Sequence, residues 1–436
     1  GVKRARAEWW VPVLAGACSV GEGGGVGGAP GVIVGDGQWG DIQAHDTQTV
    51  AQEGKIDNPD HGVTRVGFGD PDGDGQTEVL WGAGASSTGA DHLHVGDWQA
   101  QVREWQSEHL DGPFLGPVTG DLDGDGRPEL VSVCWESDAG YDGGRILVFD
   151  GDTLGLRDLS PEIASGLNWT GTHDLKLRDV DGDGRQEILI ATDLLYDGLI
   201  EIYDWSRSGG FQLQWSNNTM PNGSAFFSVE AADVDQDGAM EIVAGGGRGS
   251  SGSSGVFLWV YDYASGNEEW HSMQIATTWD DITRTVVADL DGDGELEMTA
   301  MVGGGELWVF DGTTKQQEKV VSGPFSDLVA EPVGARSALV AANGYDLVGL
   351  SWQGGRLVEF SRLHYPAIVG GVTVGPFQSL WLGLDGALTA HAPGSTAPLG
   401  GTADYGNGFG RGTAFLPHPG RAGSAGEDGP RGFRIY

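Results

Sequence analysis

Basic residues are scarce in this chain: 24 Lys and Arg stand against 63 Asp and Glu, a formal charge of −39 over 436 residues. Such a field argues against nucleic acid or an anionic membrane as partner, because phosphate binding relies on clustered Lys and Arg. Nothing resembles a basic patch beyond Lys3-Arg4-Ala5-Arg6. Cysteine is almost absent too. Cys18 and Cys134 cannot supply a disulfide framework, and no Cys/His spacing suits zinc. No apolar run reaches the roughly 18 residues a membrane-spanning helix needs, so no transmembrane span is expected. Helical periodicity is missing as well; apolar residues come in short alternating or β-branched runs. There is no Gly-x-Ser-x-Gly elbow, no His-Glu-x-x-His, and no Gly-rich phosphate loop followed by Lys-Ser/Thr.

What the chain has in abundance is acid and glycine, organised together in five copies of one pattern: Asp70 to Glu78, Asp121 to Glu129, Asp179 to Glu187, Asp233 to Glu241 and Asp289 to Glu297. Carboxylates occupy positions 1, 3, 5 and 9, and glycine stands at position 6. They are Asp70, Asp72, Asp74 and Glu78; Asp121, Asp123, Asp125 and Glu129; Asp179, Asp181, Asp183 and Glu187; Asp233, Asp235, Asp237 and Glu241; Asp289, Asp291, Asp293 and Glu297. A hard cation needs several oxygens converging at short range and a backbone bend that glycine makes cheaply. Each loop is therefore expected to hold one Ca²⁺, about five in all. The backbone carbonyl at position 7 (Gln76, Arg127, Arg185, Ala239, Glu295) would complete each shell. An EF-hand needs a glutamate at position 12, where this chain has Trp81, Ser132, Ile190, Ala244 and Ala300. The alternative, a solvated acidic turn, sets four carboxylates against one another with no compensating charge. Ligands drawn from one tight turn and repeated five times point to a structural rather than a catalytic metal.

Around each loop the same parts recur. In the clearest unit a strand-like Phe114 to Thr119 enters the loop and Leu130 to Cys134 leaves it. Arg145 to Asp150 and Leu154 to Leu159 follow, four antiparallel strands in all. The third segment, closing near an aspartate, marks further units at Asp41 to Asp46, His92 to Asp97, Leu199 to Asp204, Phe257 to Asp262 and Glu306 to Asp311. Degenerate versions lie at Asp346 to Trp352 and Gly386 to His391. Gly23 to Gly31 aligns with the second acidic loop but lacks its carboxylates. Pro332 to Ser337 and Val374 to Ser379 are shortened counterparts. Repeating four-stranded units without helices pack radially around an axis. The expected fold is all-β: a β-propeller of four-stranded antiparallel blades, eight preferred and seven the alternative. Residues 1–29 form an N-terminal segment, 30–398 the propeller, and 399–436 a C-terminal segment. Thr413 to Pro417 and Gly432 to Tyr436 are its candidates for the strand that closes the ring.

The loops, with Gly67-Phe68-Gly69 before the first and Gly28-Ala29-Pro30 in the degenerate copy, resemble the FG-GAP and VCBS repeats of integrin α-chain propellers and of many secreted bacterial proteins. The resemblance covers residues 30–320 well. It implies a calcium-binding propeller, and it also keeps open a carbohydrate-active role, since some polysaccharide lyases use calcium-bearing propellers with similar loops.

Millimolar free calcium is an extracellular condition, so a secreted or cell-surface location is expected. Lys3 to Cys18 has the look of a signal segment with a lipid anchor at Cys18; a buried strand cysteine is the plainer reading. The connections on the face opposite the acidic loops are longer, and Tyr141, Asp142, Trp169, His173, Asn217 and Trp279 make that face the candidate ligand surface. Exposed aromatics beside amides and acids suit sugars, although such tryptophans also fill space between blades. Asn168, Asn217 and Asn222 begin Asn-x-Ser/Thr sequons. His92 and His94 share a strand face and read as surface imidazoles rather than metal ligands. The leading expectation is a non-catalytic adhesion or recognition module for an extracellular glycan or protein. A polysaccharide lyase-like enzyme and a structural module of a larger surface protein are the alternatives.

Overall fold

A computed structural model describes residues within 31–415, leaving out several connecting segments, among them 84–91, 135–142, 164–170, 194–197, 218–223, 249–254 and 277–279. The described residues contain strands and turns and no α-helix. Their strands form eight four-stranded antiparallel sheets. In seven of them the strands follow in chain order. In the third sheet, for example, Phe114–Gly120 pairs with Glu129–Cys134, that strand with Arg145–Phe149, and the last with Leu156–Leu159. The exception is the first sheet, where Thr413–Phe415 pairs with Gly31–Gly35 and supplies the inner strand. The two strands that flank an acidic loop elsewhere thus come here from distant parts of the chain. The glycine-only stretch before Gly31, like Cys18, lies outside the described residues.

The inner strands touch one another in a cycle. Thr413–Phe415 meets Val63–Gly69, contact passes from sheet to sheet, and Val369–Val374 returns to Thr413–Phe415. This is a β-propeller. Near the axis neighbouring inner strands are joined by charge: Arg178 forks onto Glu230 at 3.0 and 3.3 Å, and Arg284 reaches Asp327 at 2.9 Å.

Period-two alternation explains how one strand serves two seams. In the third sheet Leu130, Cys134, Leu147 and Phe149 face the core shared with the second sheet, while Val131, Val133, Ile146 and Val148 face the core shared with the fourth. A middle strand is therefore apolar on both faces and reads as an unbroken hydrophobic run. The same logic overturns the expectation for His94. It lies on the third strand of the second sheet, is fully buried, and stacks on Trp81 with ring centroids 4.8 Å apart. Cys134 is equally buried, and burial pushes its thiol up to about 12, which makes it an inert packing residue. Trp81, Trp205 and Trp259 are buried between sheets, the space-filling role.

At the acidic-loop end the sheets are linked through backbone. Ser337 N–H donates to the Asp289 carbonyl at 2.6 Å, and Gln186 N–H to that of Asp121 at 3.4 Å. Gly312, after the third strand of the sixth sheet, donates to Leu296 O at 2.8 Å. A Cβ at Gly312 would collide with the carbonyl oxygens of Leu296 and of Val234 in the preceding sheet. Backbone cannot swing aside as a side chain can, so Gly312→Ala is expected to cost about 1–3 kcal/mol of stability, the usual range for overpacking. Urea denaturation of the variant beside the parent checks this.

Candidate metal centres

Each acidic loop joins the first strand of its sheet to the second, and its conformation follows from a few residue types. Positions 4 and 6 lie in the left-handed region: Gly124 and Gly126 have φ of 76° and 86°, Gly292 and Gly294 of 87° and 92°. Glycine takes these angles at no steric cost. The fourth loop has Gln236 at position 4, also left-handed at 62°. Position 2 is apolar and buried in all five loops, as Pro71, Leu122, Val180, Val234 and Leu290. It plugs the loop into the seam between sheets, with Leu122 and Val234 among the core residues there.

The carboxylates first organise the loop itself. Asp121 accepts the N–H groups of Gly124 and Gly126 at 2.8 and 2.9 Å, and Asp179 accepts those of Gly182 and Gly184 at 2.7 and 3.0 Å. In every loop the position 5 aspartate accepts the N–H of position 7: Asp74 from Gln76, Asp125 from Arg127, Asp183 from Arg185, Asp237 from Ala239 and Asp293 from Glu295. In four loops the position 9 glutamate accepts the N–H of position 2 through Oε2, as from Leu122 to Glu129 at 3.0 Å and from Val234 to Glu241 at 2.7 Å. Proline has no N–H to give. Where Pro71 holds position 2, Glu78 Oε2 is left buried without a partner.

After these bonds, oxygens still converge. Asp70, Asp72 and Glu78 bring one carboxylate oxygen each within 4.8 Å of one another, and so do the corresponding trios in the second, third and fourth loops. Glu241 is fully buried, yet its Oε1 has no hydrogen-bond partner. An orphaned buried carboxylate oxygen costs several kcal/mol unless something positive meets it. Burial, reinforced by the loop aspartates, pushes the position 9 carboxyls far above their usual 4.5: Glu78 and Glu297 to about 8, Glu129, Glu187 and Glu241 to about 7. An all-oxygen donor set of this kind fits a hard divalent cation.

Residues outside the loops join the clusters. In every sheet the pairing of third and fourth strands slips by one residue. The extra residue is Glu104 in the second sheet, Glu269 in the fifth and Glu318 in the sixth. Glu269 joins Glu241 and Asp262 in a further group with ligand atoms within 4.8 Å. Burial, then the charges of Asp311, Asp291 and Asp293, raises Glu318 to about 7. The recurring aspartate at the end of the third strand was visible in the sequence as a repeat marker; its closeness to the acidic loop was not. A bulge is invisible to a period-two reading, so the glutamates were missed.

The candidate ligand face fares differently. Tyr141, Asp142, Trp169 and Trp279 lie outside the described residues, as do Asn168 and Asn222. His173 is half-buried on an inner strand, its ring 4.3 Å from that of Phe227. Asn217 must be corrected. It is 1% exposed, and its Oδ1 accepts the Ile200 N–H at 2.7 Å, which ties the fourth strand of its sheet to the third. An amide so used is available neither to a ligand nor to a glycan.

The raised glutamates set a pH dependence. Their folded values lie above the unfolded value, so without metal the folded state binds more protons than the unfolded between about pH 4.5 and 8, and stability falls as pH rises through that window. Melting temperatures in chelator should drop from pH 5 to pH 8. A bound divalent cation displaces those protons and should flatten the slope; equal slopes with and without calcium would refute the link between these glutamates and a metal.

Comparison with known proteins bears on the repeat and the fold. A family model described as an FG-GAP-like repeat matches residues 70–132, 121–190 and 179–244, each match starting at position 1 of an acidic loop. No curated protein matches. Among solved structures, BamB from Moraxella catarrhalis is 16% identical with a TM-score of 0.53, over 83% of this chain and 91% of that one. Sqt1 of Saccharomyces cerevisiae is 12% identical with a TM-score of 0.54, covering 76% and 83%. The dihydro-heme d1 dehydrogenase NirN in complex with DHE is 12% identical with a TM-score of 0.62, covering 89% and 76%. At such identities the likeness speaks for the propeller fold alone. The chain is thus a β-propeller whose residues 70–244 match an FG-GAP-like repeat three times in succession.

Proposed function

We propose that this chain is a calcium-stabilised propeller of the extracellular space or cell surface, acting as a non-catalytic recognition module for a glycan or protein. The observation that carries it is the buried, partnerless oxygen of Glu241, in a loop where Asp233, Asp235 and Glu241 each bring a carboxylate oxygen within 4.8 Å of the others'. The residues that would hold the ion are those at positions 1, 3, 5 and 9, with the position 7 carbonyl. Bound there, calcium would neutralise the seam between sheets. The ligands come from turns at one end of the propeller, which favours a structural role. The long connections at the other end are where recognition is expected.

Binding to the native state alone stabilises by about 2.7 kcal/mol per site at a hundredfold excess over Kd. Calcium should therefore raise the melting temperature well above that in chelator, with magnesium a poor substitute. A melting point indifferent to both calcium and chelator would remove the metal from the reading. A glycan array probed with the calcium-loaded chain tests the recognition half. Saturable binding without turnover supports it, and release of new reducing or unsaturated ends would show a carbohydrate-active enzyme instead.

A further inference from the structure

The five acidic loops are not equivalent, and the second is set apart by the side chain of Arg207. Arg207 sits in the turn between the third and fourth strands of the fourth sheet, Ile200–Ser206 and Gly210–Ser216. From there it reaches back into the loop of the third sheet. Its Nε meets Asp123 Oδ2 at 2.7 Å, one Nη meets Asp150 Oδ2 at 2.6 Å, and the other meets Glu129 Oε1 at 3.1 Å and Asp125 Oδ2 at 3.4 Å. Counting backbone donors as well, every carboxylate oxygen of this loop is taken. Asp121 is used by Gly124 and Gly126, Asp123 by Asp125 N–H and Arg207, Asp125 by Arg127 N–H and Arg207, and Glu129 by Leu122 N–H and Arg207.

The fourth loop shows what the guanidinium changes. Glu241 gives Oε2 to the Val234 N–H as Glu129 does to Leu122, but its Oε1 stays without a partner. The nearest cation from the following sheet, Lys315 Nζ, stands 3.8 Å from Asp235 Oδ2. An ammonium at that distance is a point charge beside the site; the Arg207 fork occupies its centre. The oxygen that a metal would use in the fourth loop is the one Arg207 uses in the second.

We infer that Arg207 is a built-in counter-ion for the Asp121–Glu129 loop, competing with calcium there and tying the third sheet to the fourth when calcium is low. This rests on the calcium reading of the loops. To bind at this loop a metal must displace several charge-assisted hydrogen bonds, which weakens it at least about tenfold relative to the other loops.

The test is calorimetric titration of the chelator-stripped chain with calcium, comparing the parent with Arg207→Gln and Arg207→Lys, together with melts in chelator and in calcium. The parent is expected to show one site weaker than the rest. In R207Q that site should tighten about tenfold or more, or appear as one extra equivalent, with R207K intermediate because an ammonium cannot fork. In chelator R207Q should melt below the parent, and calcium should close the gap. Identical affinities and stoichiometry in all three proteins would overturn the inference. If none of them takes up calcium, the calcium reading itself fails and competition fails with it. A lower melt of R207Q in chelator would then leave Arg207 as an ionic tie between sheets and nothing more.

Discussion

Everything at the loop end of this propeller depends on what meets the second oxygen of a buried glutamate. The first oxygen of Glu129, Glu187, Glu241 and Glu297 sews the loop shut by taking the N–H of position 2, while position 2 itself is buried in the seam. Loop closure and sheet packing are therefore one event. The geometry that buries the apolar residue also buries a carboxylate, and a buried carboxylate must be protonated, ion-paired or metal-bound. The alternating aspartates surround that one residue: in the second, third and fifth loops the position 1 aspartate folds the turn with both of its oxygens, and those at positions 3 and 5 take a backbone N–H with one each.

The chain shows different answers to the same constraint. In the second loop an arginine from the next sheet supplies the charge. In the fourth a lysine stands close without filling the place, and Glu241 keeps a bare oxygen. In the first, proline at position 2 withholds even the backbone bond and leaves Glu78 more demanding. A repeat that looks uniform in sequence thus spans a range of electrostatic need, and neighbouring sheets share the cost because the cation can come from across the seam.

Much of the fold was legible. The third sheet's strands fall where alternation and the acidic loop placed them, because strand period and turn chemistry are local properties that nine residues can encode. What was not legible is what depends on sequence-distant contact. Arg207 lies 84 residues from Asp123, with nothing in its own segment to mark it. His94 looked like a surface residue because alternation reports facing, not what covers the face; a middle strand of a propeller has no outside. Asn217 looked like a loop amide, and the structure uses it as a strand-end cap. The residues at position 2 are apolar in all five loops, but only contact with the neighbouring sheet shows that they plug the seam.

The pairing of Thr413–Phe415 with Gly31–Gly35 has a consequence for the making of the molecule. A ribosome releases the segment near residue 31 long before the one near 413, so through most of synthesis the first sheet waits with an unpaired edge. Such edges invite pairing with other chains, and contacts of so long a sequence separation form late. The growing propeller therefore stays open until the segment near residue 413 emerges to pair with the one near residue 31.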